Sequence, residues 1–178
     1  MIKWIIIVFA FCLLGLFYQS EAIFLGEIDD STGFTFRGTC WGMSQEQVKA
    51  IETAEFSSEG TQNNLLFFKY QLLDEQVTIL YEFDHENRLF RAGYIFNDNY
   101  RERGEVEEDF YTLFNFLTEK YGEHSVHSSD ENNNEVLWEL GNENYIYLVF
   151  TSENLENVLT IKFFNLNMLK EYENIKIE

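Results

Sequence analysis

Proline is missing from all 178 residues, so turns must be made with Gly, Asn, Asp and Ser. Cysteine is nearly missing too: there are two, and Cys12 falls in an N-terminal segment read below as a leader. Cys40 then stands alone in the remainder, which excludes an intramolecular disulfide and leaves burial to hold the fold. Positive charge is scarce, with 12 Lys and Arg against 31 Asp and Glu and a formal net charge of −19. Nucleic acid and anionic membrane surfaces both call for basic patches, so neither is an expected partner. A cationic protein partner is compatible with that charge, and so is a purely solubilising role. The catalytic signatures are absent as well: there is no Gly-rich phosphate loop, no G-x-S-x-G elbow and no HExxH. The sequence therefore predicts no enzyme and no cofactor.

What the chain has instead is aromatic surface: 17% of it is aromatic, with 18 Phe and 10 Tyr. Part of the apolar content is N-terminal. Lys3 precedes an apolar run from Trp4 to Phe17, and Ser20 and Ala22 put small residues at −3 and −1 of a cleavage point. The run is shorter than the roughly 18–20 apolar residues of a membrane span. Phe11 before Cys12 does not fit a lipobox. These features predict a signal peptide over 1–22, cleavage after Ala22, and an exported protein, periplasmic or secreted, with no membrane span once the leader is removed. Residues 23–178 suit a single domain.

Within that domain, "TCWGMSQEQVKAIE" (39–52) is a readable joint. Ser44 is an N-cap, Gln47 completes a capping box, and Met43 and Val48 occupy the positions of a hydrophobic staple. Gly42 lets the chain turn, and Trp41 is free to cover the helix end. A helix is expected over about 45–55. Three strand-like runs follow, Leu65–Leu73, Gln76–Phe83 and Leu89–Phe96. Beyond "NDNYRERGE" the strongest helix spans Glu105–Tyr121, its apolar stripe built from Val106, Phe110, Leu113, Phe114, Leu117 and Tyr121. Three more strands are expected over Glu135–Leu140, Tyr145–Phe150 and Val158–Phe164, and then a short amphipathic tail. The resulting expectation is a two-layer α+β fold. It comprises a helix–strand–strand–strand unit written twice (about 34–97 and 104–165), with two helices on one face of an antiparallel sheet.

"WGMSQEQVKAIE" resembles the W-G-M-[ST]-x-x-[EQ]-V motif of exported bacterial proteins of unassigned function. The layout is also similar to BamE/SmpA-like assembly lipoproteins and to tandem-repeat β-lactamase inhibitor proteins, and "FLTEKYG" resembles a helix ending of such units. The chain departs from the former in lacking a lipobox cysteine and from the latter in lacking their repeated disulfides. The resemblance implies a binding or assembly module acting on another envelope or exported protein; the alternative is an acidic inhibitor or immunity-type protein that blocks a cationic enzyme.

The candidate site residues are correspondingly few. Trp41, Gly42 and Met43 are read as a structural joint or partner-binding patch. Tyr70, Tyr81, Tyr94, Tyr145 and Tyr147 lie on strands, and those facing away from the helices would form an aromatic receiving surface. His124 and His127, beside Glu123 and Asp130, and His85 in a turn do not make a convergent metal site. Cys40 has no base nearby in sequence to activate it. "EVEED" and "DENNNE" lack the spacing of a calcium loop.

Overall fold

In the computed structural model the described residues are 27–29, 33–60, 64–72, 75–96, 101–153 and 156–176. The expected leader over 1–22, with Cys12 and the cleavage point after Ala22, lies outside them. The chain begins with three short strands, β1 (Glu27–Asp29), β2 (Gly33–Phe36) and β3 (Thr39–Cys40), paired antiparallel in a small sheet. Helix α1 (Gln45–Ile51) follows, then β4 (Glu55–Glu59), β5 (Leu65–Leu72), β6 (Glu75–Phe83) and β7 (Leu89–Phe96). The second half runs α2 (Arg103–Tyr121), β8 (Val126–Ser129), β9 (Asn133–Gly141), β10 (Asn144–Glu153), β11 (Glu156–Asn165) and α3 (Leu166–Lys176).

Strands β4 to β11 form one eight-stranded antiparallel sheet in the order β4-β5-β6-β7-β11-β10-β9-β8. The expected α+β class, two helix–strand–strand–strand units with two helices on one face, is overturned. The protein is mostly antiparallel sheet, with three helices and a second small sheet among the described residues. Three local causes account for the difference. Helix α1 ends at Ile51, because Glu52 turns extended to begin the run into β4. Edge strands β4 and β8 are exposed at every position, so no buried alternation marked them in the sequence. The C-terminal tail, finally, is an eleven-residue helix.

One face of the large sheet carries the core. Alternate residues such as Val77, Ile79, Tyr81 and Phe83 on β6 point into it, as do Ile146, Leu148 and Phe150 on β10. Phe34 and Phe36 of the small sheet, Val48 of α1 and the stripe Val106, Phe110, Leu113 and Leu117 of α2 close over them. This is the i, i+3, i+4 spacing that the sequence announced for α2. Gly122 ends that helix at φ 88°, its N–H donating to the Thr118 carbonyl at 2.9 Å. Phe90 lies apart from this core and stacks on Tyr172 of α3, ring centroids 4.6 Å apart.

At the centre of the sheet, β7 pairs with β11, joining the two halves of the chain. Gly93 makes that pairing possible. A Cβ built there would lie 2.2 Å from the backbone oxygen of Ile161, so any side chain would force the two strands apart.

Candidate functional site

The Trp41 segment is tied to both halves. Ser44 caps α1 as expected, accepting from the Gln47 N–H at 3.4 Å while the Gln47 side chain accepts from the Ser44 N–H at 2.8 Å. Exposed Gly42, at φ 85°, donates its N–H to the Leu89 carbonyl at 2.8 Å, and the Leu89 N–H returns a bond to Met43 at 2.8 Å. Trp41 does not sit simply over the helix end. It is half-buried, stacks on Phe34 at 5.5 Å, and donates Nε1–H to Asn144 Oδ1, 103 residues away, at 2.7 Å. Cys40 is a half-buried free thiol whose backbone N–H points at Met43 Sδ, 3.3 Å away.

Beneath this joint lies a buried charged node that the sequence reading did not anticipate. Arg37 donates Nε–H and Nη2–H to the two carboxylate oxygens of Glu52, both at 2.8 Å, and the side chains are only 5% and 1% exposed. Tyr81 donates its hydroxyl to Glu52 at 2.6 Å, the Ala54 N–H adds a bond at 2.8 Å, and the Arg37 guanidinium lies 4.1 Å from the Tyr70 ring centroid. Burial alone would push the Glu52 carboxyl up, but the bonds from Arg37, Tyr81 and Ala54 outweigh it and hold it below its ordinary value. Burial likewise works against charge on Arg37, and Glu52 more than compensates. Burial first, then Glu52 beside the hydroxyl, pushes Tyr81 far up. Every group is satisfied and inaccessible, so the node clamps the β2–β3 turn to α1 and the sheet. Tyr81 and Tyr94 are fully buried and belong to this inner layer.

Tyr145 and Tyr147 lie on the opposite face. Strand register places Leu80, Gly93, Lys162, Tyr147 and Leu137 side by side across β6, β7, β11, β10 and β9. The neighbouring row runs Glu82, Arg91, Phe164, Tyr145. Phe67, Leu80, Ile95, Phe164 and both tyrosines are half-buried there, whereas their strand neighbours on the inner face are buried. Tyr145 stacks on Phe164 at 5.6 Å. Tyr147 donates its hydroxyl to Glu135 at 2.5 Å; burial, and then that bond, pushes its pKa up to about 12. Arg91 donates Nε–H to Glu82 at 2.7 Å, and its second nitrogen contacts the same oxygen. Over Gly93, which has no side chain, this face holds a hollow of about 310 Å³ lined by Leu80, Ile95, Val158, Thr160, Arg91 and Lys162.

The remaining candidates resolve into local structure. His124 and His127 stand with ring centroids 5.5 Å apart, beside Phe114 and Trp138, and His124 Nδ1 is buried without a hydrogen-bond partner. Among the described residues no group of three or more His, Cys, Asp and Glu is placed to hold a metal ion. His85 is exposed in the β6–β7 turn. In "EVEED", Asp109 pairs with Arg101 at 2.5 Å; in "DENNNE", Asp130 accepts the N–H groups of Asn132 and Asn133 at 2.8 and 2.9 Å and so builds the β8–β9 turn. Among the described residues no helix is long and apolar enough to cross a membrane.

No family model matches the chain, and no curated protein matches it. Among solved structures it is similar to YjgB, a DUF4309 family protein from Bacillus subtilis subsp. subtilis str. 168. The two are 12% identical, with a TM-score of 0.39 over 68% of this chain and 78% of that one. A likeness at that score says nothing about activity or partners.

Proposed function

We propose that this chain is a non-catalytic exported protein, periplasmic or secreted, that binds or scaffolds another protein through the outer face of its large sheet. One observation carries the reading. The inner face is covered by α1, α2 and the small sheet, while the outer face presents half-buried Phe67, Leu80, Ile95, Tyr145, Tyr147 and Phe164. Helix α3 stacks Tyr172 on Phe90 and contacts β7 and β11. Aromatic and aliphatic side chains flanked by Arg suit the core of a protein interface. The apolar N-terminal run and the likeness of the Trp41–Met43 segment to the W-G-M-[ST] motif of exported bacterial proteins support export.

A photo-crosslinking residue at Leu80 or Phe164, compared with one at Tyr111, which is exposed on α2, tests the reading in the exporting cell. Specific adducts from the sheet positions alone are expected. Equal adducts from Tyr111, or none from Leu80 and Phe164, would rule the face out. The alternative, an acidic inhibitor of a cationic enzyme, draws on the net charge of −19. It predicts adducts to a basic protein that disappear at high salt, since screening acts on exposed charge; a scaffold contact through apolar rings persists.

A further inference from the structure

Five cations of this acidic chain have carboxylate partners among the described residues. Arg37 pairs with Glu52, Lys49 with Glu59, Arg88 with Asp84, Arg91 with Glu82 and Arg101 with Asp109. Lys162 differs. It is a half-buried lining residue of the Gly93 hollow, 6.0 Å from the Tyr147 ring centroid, and no ion pair to it exists among the described residues. Burial, and then the nearby positive charge of Arg91, holds its ammonium below the ordinary 10.5, although Glu82 and Glu135 pull the other way. A half-buried ammonium that makes no direct ion pair is only partly compensated, and contact with an anion compensates it further.

We propose that the hollow over Gly93 is a small-molecule site for a carboxylate carried on an apolar chain, the carboxylate seated at Lys162 and the chain lying against Leu80, Ile95 and Val158. Three features fix this chemistry. A volume of about 310 Å³ lies at the lower end of ligand pockets, which are mostly apolar with a few polar groups that orient the ligand. Its walls supply the apolar part and the Thr160 hydroxyl a further hydrogen-bonding group. The charge selects a monoanion. Arg91 is already paired with Glu82, which leaves Lys162 as the cation that can meet a ligand, and the Glu135 carboxylate nearby disfavours a doubly charged phosphate. The hollow lies over Gly93, where the β7–β11 pairing leaves no room for a Cβ.

The test uses the purified full chain with decanoate as probe, and decanol and decylammonium as controls, followed by amide chemical shifts. Saturable decanoate binding is expected, with the largest shifts at Gly93, Ile95 and Thr160. Decanol should bind about tenfold more weakly or worse, which is the value of one charge-assisted contact, and decylammonium should not bind. Lys162→Met should lower decanoate affinity by a similar factor and leave the weak decanol binding unchanged. Lys162 Nζ in the wild-type chain should titrate at higher pH once decanoate is bound. Equal binding of decanoate and decanol, undiminished binding by Lys162→Met, shifts centred elsewhere, or no saturable binding would each overturn the proposal. None of these outcomes depends on a protein partner, so the site stands or falls apart from the crosslinking result.

Discussion

Glu52 is the residue on which the first half of the chain turns. Its carboxylate accepts two bonds from Arg37, one from Tyr81 and one from the Ala54 N–H, at 1% side-chain exposure. Removing one member of such a pair leaves the other charge buried and unmatched, so Glu52→Gln should cost about 3–5 kcal/mol of stability by denaturant unfolding. The pH dependence follows from the direction of the shift. Glu52 is held below its ordinary 4.5 in the folded chain, so its contribution is fully present above pH 4.5. It is lost as pH falls through the lower folded value, because there the unfolded state already binds the proton. The wild-type protein should therefore lose stability on acidification through that window, and Glu52→Gln should flatten that limb of the stability–pH curve. An unchanged acid limb in the variant would show that other carboxylates govern it. Nothing in the sequence pairs Arg37 with Glu52: they stand 15 positions apart and meet only when the β2–β3 turn folds against the end of α1.

The seam between β7 and β11 decides the behaviour of the secondary-structure elements. Register runs from Leu159 against Phe96 to Phe164 against Arg91, and Gly93 stands in its middle. A methyl group at Gly93 would sit 2.2 Å from the Ile161 carbonyl oxygen, a backbone atom that moves only if the strand moves. Gly93→Ala should thus destabilise by about 3 kcal/mol, the upper end of ordinary overpacking costs. Amide exchange should show the loss of protection concentrated in β7 and β11. A variant as stable as wild type would mean the seam opens without cost. In the sequence, Gly93 was one residue inside an expected strand, where a glycine signals close backbone approach or a bulge. Which backbone approaches it is a property of the sheet order.

At the scale of the whole molecule, the contacts that bind the two halves are long-range ones. Trp41 reaches Asn144, Phe34 and Phe36 pack on Phe163, and β7 pairs with β11. The protein should therefore unfold as one cooperative unit, with fluorescence and far-UV CD transitions that coincide. Trp41→Ala removes the Phe34 stacking and the bond to Asn144, and should lower stability by about 3 kcal/mol while keeping a single transition. Two separated transitions in wild type would show that the halves fold independently. A fully stable Trp41→Ala protein would show that its contacts contribute nothing to the fold.

The chain by itself determined the parts that depend on neighbours in sequence. The Ser44–Gln47 cap, the stripe of α2, Gly122 at its end and the six inner strands all follow from local hydrogen bonding or a repeating apolar period. It also marked strand tyrosines as the aromatic surface, without saying which way they face. Tertiary structure decided that. Once β6 and β7 turn Tyr81 and Tyr94 inward, against Phe36 and the Glu52 node, Tyr145 and Tyr147 on β10 are left on the opposite face. It decided the edge strands too, since β4 and β8 bury no side chain and exist only because β5 and β9 offer unpaired backbone groups to them. The hollow at Gly93 and the place of Lys162 in its lining belong with these: they arise from residues of three strands brought into register, a juxtaposition that no local periodicity encodes.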